Sequence, residues 1–418
     1  MSIYHLSPNG DDTLNDGLSE GTPKRTFAAL AQTWGDTFPA GHSVLWQRGT
    51  SYHDDPVMLW GGDPERPLKL GSYGDGESPV LHSAGGPAIE IYGAGGLEVR
   101  DLEVTGDGVT VCGGVIWANL HPGFDGPARH VLLERLTASG YGLGGIVATT
   151  GGQPVHGLVL RDLHVHHNAV GLKVGHGDAR VRNMVGVLIE RVLAEDNDWV
   201  PLIDDSGYGV EISGLVDSQV RNCTALRNGA VSDNPGHGGI ILHYCDRTDV
   251  VSCRAVGNTT PTHPDGQGLC LLSCRDCRIL DSLSVANGIG GCSLRSEFQP
   301  DTGPNKVEWP SERCIVRGCT DLGSVICLHI HGAVRDSDVT HNYFTTATKT
   351  ADDYREVVDI STNLVDDSDP SKGRMEGVRD VRLYANQFRA LGNAVLMGLD
   401  GIETLGGLEF ANHLGMAN

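Results

Sequence analysis

The sequence predicts an all-β protein, a parallel β-solenoid of roughly ten or more stacked coils. The phrase "GLVLRDLHV" at 157–165 returns in variants along most of the chain, at intervals of about 30 residues that are typical of stacked repeats. A second short apolar run, opened by glycine, precedes several copies of the phrase. Because no stretch shows helical periodicity, two short strands per repeat describe one coil.

The recurring phrase alternates apolar and polar residues, as a strand with one buried face does. Clear copies include "GLEVRDLEV" at 96, "GVLIERVLA" at 186 and "DSQVRNCTA" at 217, whereas "DSDVTHNYF" and "DVRLYANQF" are degraded. One apolar residue of each copy serves as an anchor and is expected to stack in the core: Val99, Leu133, Leu160, Ile189, Val220, Val250, Leu280, Val316, Val339 and Leu383.

The glycine-opened strands are "GGIVAT" at 144, "VGLKVG" at 170, "YGVEIS" at 208, "GGIILH" at 238, "QGLCLL" at 267 and "GGCSLR" at 290. Successive side chains of a strand point to opposite faces. The first and third residues after the glycine are expected to fill the core, and the second and fourth to point outward. The predicted core residues are Ile146, Leu172, Val174, Val210, Ile212, Ile240, Leu242, Leu269, Leu271 and Leu294.

The whole chain, 1–418, is predicted to be one domain, because a solenoid grows by adding coils and no Pro- or Ser-rich linker interrupts it. Residues 85–400 hold the repeat coils. Two insertions, near 299–313 and 345–374, are expected on the binding face, where long loops of solenoids often gather. The first is expected to wall a groove, with Lys306 or Trp309 reaching a bound sugar.

Eleven cysteines raise the question of disulfides or metal sites. Cys223, Cys253 and Cys319 occupy equal places in successive repeats, at an apolar inward position, and are expected to be buried thiols. "CRDC" at 274–277 has the spacing of a redox or zinc site. No second such pair completes a ligand set, so a metal is not expected there.

The formal net charge is −22, with 53 acidic residues against 31 Lys and Arg. This balance argues against nucleic acid, whose phosphates favour basic surfaces. No apolar stretch is long enough to span a membrane, and "MSIYHLSPNG" does not have the form of a signal peptide. The protein is therefore expected to stay inside the cell, to leave it by another route, or to have a signal that this sequence omits, which keeps secreted, periplasmic and virion-associated locations open.

Two N-terminal stretches carry a family resemblance: "YHLSPNGDDTLNDGLSEGTPKRTFAAL" at 4–30 and "GHSVLWQRGTSYHDDPVMLWGGDPERPLKLGSYGDGESPVL" at 41–81. They resemble the opening of right-handed parallel β-helix proteins of the pectin-lyase-like superfamily. The resemblance implies a short capping helix and first coils over residues 1–84. It also implies carbohydrate chemistry on a polysaccharide or oligosaccharide. The superfamily includes lyases, hydrolases and epimerases, so the reaction must be argued from the site.

The outward positions of the glycine-opened strands form a band that could be the floor of a groove. Candidate catalytic residues in or beside the band are Lys173, Asp205, Glu211, His243 and Arg295. Nearby turn and strand residues are candidates for substrate binding: Tyr208, His237, Asp265, Gln267 and Glu297. Such a concentration of acids and bases suggests chemistry, since catalysis needs both within reach of one bond.

The preferred hypothesis is β-elimination on a glycan that contains uronic acid. In this reaction the substrate carboxylate is neutralised, a base removes the C5 proton, and an acid protonates the leaving oxygen. Lys173, His243 or Arg295 could be the base. Asp204 and Asp205 could hold Ca²⁺ as the neutralising group, since carboxylate oxygens suit that ion.

Glycoside hydrolysis by paired carboxylates is the alternative reaction, with Asp205, Glu211, Asp265 and Glu297 as candidates. Epimerisation is a further possibility. A binding or virion-fibre solenoid without catalysis would require aromatic residues along the groove. Aromatics make up 6% of the chain, and those near the proposed floor are Tyr208, Trp199 and Tyr244, so a long aromatic platform is not expected.

Overall fold

A computed structural model describes residues 1–34, 38–108, 110–119, 126–198, 206–229, 238–260, 266–298, 308–346, 355–361, 377–391, 395–400 and 409–417. Within these ranges the chain is almost entirely β-structure, and the strands pair in parallel from coil to coil. The predicted solenoid is thereby confirmed. The short helix Phe27–Ala31 precedes the second strand of the stack, and the side chain of Thr26 caps it by accepting a hydrogen bond from the Ala29 amide.

One sheet contains twelve strands and is formed largely by the glycine-opened runs. Its strands follow one another in sequence order, so each coil lies directly on its predecessor. They are Val57–Trp60, Ile89–Tyr92, Gly113–Asn119, Gly144–Thr150, Val170–His176, Tyr208–Ser213, Gly238–His243, Gln267–Leu272, Ile289–Arg295, Ile326–His331, Glu356–Ser361 and Val395–Asp400. This is the twelve-stranded sheet of the sections that follow.

The recurring phrase forms a second sheet, of twenty-four strands, which covers the remaining faces of the coil. Its strands are Ile3–Leu6, Ser43–Gln47, Ser51–His53, Leu68–Tyr73, Val80–His82, Gly95–Thr105, Ala128–Ser139, Val155–His156, Val159–His166, Met184–Val185, Leu188–Glu195, Leu215–Val216, Gln219–Arg221, Thr224–Leu226, Asp249–Val251, Arg254–Val256, Arg278–Leu280, Leu283–Val285, Ile315–Arg317, Thr320–Leu322, Asp338–Thr340, Tyr343–Thr345, Arg382–Leu391 and Glu409–Ala417.

Each copy of the phrase bends near its centre, at a residue in the left-handed conformation. Asp162 and Arg191 occupy this bend in successive coils, with φ of 55° and 52°. Aspartate visits this region more readily than most residues. Arginine does so less readily, but here its guanidinium binds the aspartate of the coil below, with Arg191 Nε 2.6 Å from Asp162 Oδ1. The polar pair of the phrase thus marks the corner of the coil.

The core follows the predicted alternation. The residues predicted to point inward are buried, among them Leu172, Val210 and Ile240. A ladder of asparagine side chains crosses the interior before the twelve-stranded sheet. In each step an Nδ2 donates to the Oδ1 of the next coil, through Asn168, Asn197, Asn228, Asn258 and Asn287. The ladder satisfies polar backbone groups that would otherwise be buried without partners.

The predicted burial of Cys223, Cys253 and Cys319 is confirmed as well. All eleven thiols are free, and Cys223, Cys253 and Cys319 lie in the core. Burial raises the pKa of Cys274 and Cys277 in "CRDC" well above the usual value. Both remain protonated thiols, which do not ligate metals well. In the described part of the chain no three His, Cys, Asp or Glu residues are grouped to hold a metal ion, and no helix is long and apolar enough to cross a membrane.

The two predicted insertions are partly regular structure. The segment at 299–313 contains Glu308–Trp309, which pairs antiparallel with Glu297–Phe298, and Ser311–Glu312, which pairs with Val334–Arg335. The segment at 345–374 contains Glu356–Ser361, a full strand of the twelve-stranded sheet. The expectation that this second segment is only a loop therefore differs from the structure. Its "EVVDIS" has the apolar residues of a strand but lacks the opening glycine that marks many other strands of this sheet.

Candidate active site

The outward face of the twelve-stranded sheet carries two columns of side chains. The strand register aligns the first column as Met58, Glu90, Ile116, Val147, Lys173, Glu211, Ile241, Cys270, Ser293, His329 and Asp359. The second column, two residues further along each strand, includes Trp60, Tyr92, Ala118, Thr149, Ser213, His243, Leu272, Arg295, His331 and Ser361. Polar groups occur along these columns in separate clusters.

Lys173 and Glu211 form the first cluster, the N-terminal pair. They stack on adjacent coils, and Lys173 Nζ lies 2.7 Å from Glu211 Oε2. The side chain of Lys173 is 35% exposed, whereas that of Glu211 is 12% exposed. The carboxylate therefore has its charge compensated by the ammonium directly. Because Glu211 occupies the ammonium group, a substrate must first displace this carboxylate before Lys173 can act on it.

An apolar stretch follows the pair. Tyr208, Ile241 and Cys270 pack together on the outward face and are nearly inaccessible to solvent. His243 lies at the edge of this stretch, with its ring centre 6.3 Å from that of Tyr208 and nearly perpendicular to it. Gln267, on the next coil, is also buried. Two of the predicted site residues, Tyr208 and His243, are thus brought together, but around an apolar surface.

The second polar group is the C-terminal cluster, formed by Arg295, His329, His331, Asp359 and Ser361. Arg295 and His331 stack on adjacent coils, as do His329 and Asp359. His329 Nε2 is 3.3 Å from Asp359 Oδ2, and the two histidine rings are 5.2 Å apart. His329 and Asp359 are buried, while Arg295 and His331 retain partial exposure. The accessible members are therefore a guanidinium and an imidazole.

Hydrogen bonds within the cluster define the tautomer of His331. The Ser361 hydroxyl donates to Asp359 Oδ2 over 3.2 Å, and Ser361 Oγ is 2.9 Å from His331 Nδ1. A serine hydroxyl has one proton to donate. Since that proton goes to the carboxylate, His331 Nδ1 must be the donor toward Ser361. A neutral imidazole carries one N–H, so Nε2 of His331 is its basic nitrogen.

The electrostatics keep that imidazole neutral. The pKa of His331 is lowered to about 3, mainly by burial and then by the neighbouring His329 and Arg295, while Asp359 opposes the shift. The side chain of Arg295 faces the same space, and its Nε has no hydrogen-bond partner among the described residues. A guanidinium with an unused buried donor suits an anionic group. The cluster thus combines a neutral base with a site for a negative charge.

The structure separates residues that the sequence suggested as one site. Four strand steps lie between Lys173 and Arg295, which correspond to about 19 Å at the usual strand spacing. The two cations therefore cannot act on the same bond. His243 lies between them, two steps from Arg295.

Other predicted residues lie outside the described part of the chain. They are Asp204, Asp205, His237 and Asp265, together with Lys306 and Trp199. Glu297 is described only as part of a strand, through its pairing with Trp309. The ring of Trp309 meets that of Tyr244 edge-on at 5.8 Å, and Arg182 lies over it at 5.7 Å. The suggested roles of these residues, including a calcium site at Asp204 and Asp205, remain predictions.

His329, His331 and Asp359 were not among the candidates derived from the sequence. The motif "HIH" at 329–331 follows the strand pattern, and alternation alone predicts that both histidines point outward. Asp359 gave no comparable signal, because its strand lies in a segment that reads as an insertion. The alignment of His329 with Asp359 depends on how much chain intervenes between the coils, which the sequence pattern leaves open.

Comparison with known proteins supports the architecture. Residues 144–344 match the family model of the right handed beta helix region. A GH136 lacto-N-biosidase from Eubacterium ramulus superimposes with a TM-score of 0.51 at 14% identity, over 100% of this chain and 68% of that one. The A-module of a mannuronan C-5 epimerase from Azotobacter vinelandii gives 0.50 at 14% identity, over 93% of each chain. No curated protein matches the chain in sequence. The chain therefore has the fold of a right-handed parallel β-helix, the architecture that its N-terminal resemblance implies.

Proposed function

We propose that the protein is a polysaccharide lyase that cleaves a glycan containing uronic acid by β-elimination, on the outward face of the twelve-stranded sheet. The observation that carries the proposal is the pairing of Arg295 with a neutral His331 in the C-terminal cluster. The Arg295 guanidinium can bind the carboxylate of the substrate. The neutral His331 can accept the proton from C5, the carbon next to that carboxylate. The proposal keeps Arg295 from the sequence prediction but changes its role from base to carboxylate binder.

Arg295 would bind the carboxylate of the uronic acid. A guanidinium can bind a carboxylate through two parallel hydrogen bonds, which fixes its orientation as well as its charge. Neutralising the carboxylate makes the C5 proton more acidic, because the negative charge that develops at C5 spreads onto the bound carboxylate. The partial burial of Arg295 strengthens this stabilisation relative to bulk water.

His331 Nε2 would remove the C5 proton. An imidazole whose pKa is about 3 is a weak base in the free protein. Binding of the carboxylate to Arg295 compensates one of the positive charges that lower this pKa, so the pKa rises when the substrate is in place. Asp359, linked through Ser361, then stabilises the imidazolium that forms. Substrate binding thus activates the base.

The elimination can be completed by the same residue. As the C5–H bond breaks, a C4–C5 double bond forms and the C4–O bond to the neighbouring sugar breaks. We assign the proton that the departing oxygen needs to the His331 imidazolium, which returns the neutral base. Any Ca²⁺ held by Asp204 and Asp205 would add to the neutralisation of substrate charge.

Two structural neighbours act on glycans according to their names, one as a lacto-N-biosidase and one as a mannuronan C-5 epimerase. Epimerisation at C5 begins with the same proton removal, so the C-terminal cluster suits both reactions. Hydrolysis is the alternative candidate. The observation that favours it is Asp359, a buried carboxyl group of the outward face that lies beside His329 in the cluster of Arg295 and His331.

The test is to incubate the protein with alginate, pectate, glycosaminoglycans and neutral glycans, first with Ca²⁺ and then with EDTA. The ultraviolet absorbance of unsaturated uronates and the number of reducing ends are followed together. We expect both to rise, and His331→Gln to lower kcat/KM by roughly 10²- to 10⁴-fold, the usual contribution of a general base. His341→Gln, at an exposed histidine of the other sheet, is the matched control.

Other outcomes would replace the proposal with a different reaction. Reducing ends without absorbance would mean hydrolysis and would direct attention to Asp359, and then to Glu211 and the predicted Asp205, Asp265 and Glu297. A changed ratio of uronate epimers without cleavage would mean epimerisation. Loss of activity in EDTA, restored by Ca²⁺, would support the predicted metal site.

A further inference from the structure

The N-terminal strands of the twelve-stranded sheet carry two aromatic rings that the proposed chemistry does not use. Trp60 and Tyr92 stand in the second outward column, one coil apart. Their rings are stacked, with centres 6.0 Å apart and planes inclined by 17°. Trp60 is 51% exposed. An exposed aromatic residue alone needs no explanation, but two in register form a small platform on the outward face of the twelve-stranded sheet.

A cavity of about 450 Å³ opens beside this platform. Its walls include Asp54, Met58, Ser83, Gly85, Gly86 and Glu90. The hydroxyl of Tyr92 donates to Glu90 Oε1, so the platform and the cavity wall are joined by a hydrogen bond. A volume in the range of about 300–1,000 Å³, with apolar surface and a few polar groups, is usual for small-ligand sites.

The chemistry of these groups fits a sugar ring without charge. The C–H face of a pyranose is apolar and packs on an aromatic face, while its hydroxyls donate to carboxylates. Asp54 and Glu90 are acceptors of this kind. The same two carboxylates would repel a uronic acid, since like charges at close range are unfavourable. The site therefore selects against the kind of sugar that Arg295 attracts.

We propose that Trp60 and Tyr92, with the cavity lined by Asp54 and Glu90, form a subsite for a neutral sugar residue of the glycan. The inference rests on the proposed lyase function, because it places both sites on one polysaccharide chain. Eight strand steps separate Trp60 from Arg295, or about 38 Å at the usual strand spacing. The substrate class is then a long heteropolysaccharide that contains neutral sugars as well as uronic acid.

Binding of neutral oligosaccharides tests the subsite separately from catalysis, because such probes cannot undergo β-elimination. Cellohexaose, xylohexaose, mannohexaose and galactohexaose are titrated calorimetrically into the wild-type protein, Trp60→Ala and Trp60→Phe. We expect at least one probe to bind, about tenfold more weakly to Trp60→Ala, with most of the affinity retained in Trp60→Phe because it keeps a ring. Tyr384→Ala, at an exposed aromatic of the other sheet, is the matched control and should bind as the wild type does.

Two results would overturn the subsite: no binding of any probe by the wild type, or equal affinity in Trp60→Ala. Because Trp60 is largely exposed, its replacement should not prevent folding, which circular dichroism would check. If the probes bind through Trp60 but the protein has no lyase activity, the subsite is supported and the proposed reaction is contradicted. If the protein has lyase activity but binds the probes equally well without Trp60, the reaction is supported and the subsite is contradicted.

Discussion

The N-terminal pair and the C-terminal cluster occupy the same outward columns of one sheet, yet they organise charge differently. In the pair, Lys173 and Glu211 compensate each other directly over 2.7 Å. In the cluster, Asp359 contacts both His329 and Ser361, and Ser361 in turn contacts His331. The imidazole of His331, the last member of this series, remains neutral. Stacked positions of a β-helix can therefore hold either a closed ion pair or a poised base. The groups on the coils above and below decide which.

The interior differs beneath the two regions as well. Next to the strand of Lys173, Asn197 and Asn228 continue the neutral amide ladder. Next to the strand of Arg295, the ladder passes from Asn287 to Ser324, and a carboxyl group, Asp321, stands fully buried. In the column of Asp321, the earlier coils have Ala255 and Ser284. The C-terminal cluster thus rests on a more polar core than the N-terminal pair.

The largest expected effect separates the two regions by activity. Arg295→Met removes the group that binds the substrate carboxylate and should lower kcat/KM by roughly 10³-fold, as loss of a preorganised charge contact does. Lys173→Met, the same type of change about 19 Å away, should alter kcat/KM by less than about threefold, since surface charges distant from the reaction contribute little. Initial rates of unsaturated uronate formation measure both.

The reverse pattern would break the comparison. If Lys173→Met abolished activity while Arg295→Met retained it, the base would be Lys173, as the sequence suggested first. His243→Gln distinguishes a third arrangement, in which the residue between the two regions is the base. Each variant needs a melting curve beside its rate, so that loss of structure is not mistaken for loss of chemistry.

The next largest effect concerns the buried carboxyl under the cluster. Burial raises the pKa of Asp321 from 3.8 to about 6, although hydrogen bonds from Ser284 and Ser324 oppose the shift. Because the folded pKa is the higher one, stability is greatest while the group is protonated and falls as pH rises from about 4 to 6. The difference between a pKa of 3.8 and one of about 6 corresponds to a loss of about 3 kcal/mol in the free energy of unfolding. Asp321→Asn should remove this loss.

Denaturant unfolding at several pH values measures this effect. The expected result is that the stability of Asp321→Asn relative to the wild type increases between about pH 4 and 7. A destabilisation by the amide that is the same at every pH would not alter this trend. Asp217→Asn is the control, since Arg247 lowers the pKa of that exposed carboxyl and its contribution is lost as pH falls. Parallel pH curves for the wild type and Asp321→Asn would contradict the buried-acid interpretation.

The fold could be predicted because its determinants repeat. Alternation places Leu172 and Ile240 in the core and Lys173 and Glu211 on the outward face, and a recurring glycine fixes the register of neighbouring coils. The N-terminal stretches supplied the capping helix Phe27–Ala31 and the handedness through their family resemblance. These features depend on local periodicity, which a single sequence displays directly.

The candidate site was predicted only in part, because its chemistry depends on register between distant segments. The outward positions of Lys173, Glu211 and Arg295 follow from alternation, but the 30 residues between His329 and Asp359 include a segment without the repeat pattern. The orientation of Ser361, which defines the tautomer of His331, has no sequence signal at all. Trp60 and Tyr92 were missed for a similar reason, since their strands precede the first glycine-opened run.

The smallest expected effect concerns the stability of the N-terminal pair. A double-mutant cycle with Lys173→Met and Glu211→Gln should give a coupling free energy of about 1 kcal/mol, since Lys173 is partly exposed and exposed pairs are weak. The single changes should be unequal. Lys173→Met leaves a nearly buried carboxylate without its cation, whereas Glu211→Gln leaves a lysine that can extend to water. Lys173→Met should therefore cost more.

Urea unfolding of the four proteins measures the cycle, with Arg247→Met and Asp217→Asn, an ion pair exposed on both sides, as the reference pair. A coupling of zero would mean that Lys173 and Glu211 are held apart in solution, and the argument that Glu211 occupies Lys173 and keeps it from a substrate would lose its support. A coupling well above that of the reference pair would instead strengthen the contrast between a closed ion pair at one end of the sheet and a poised imidazole at the other.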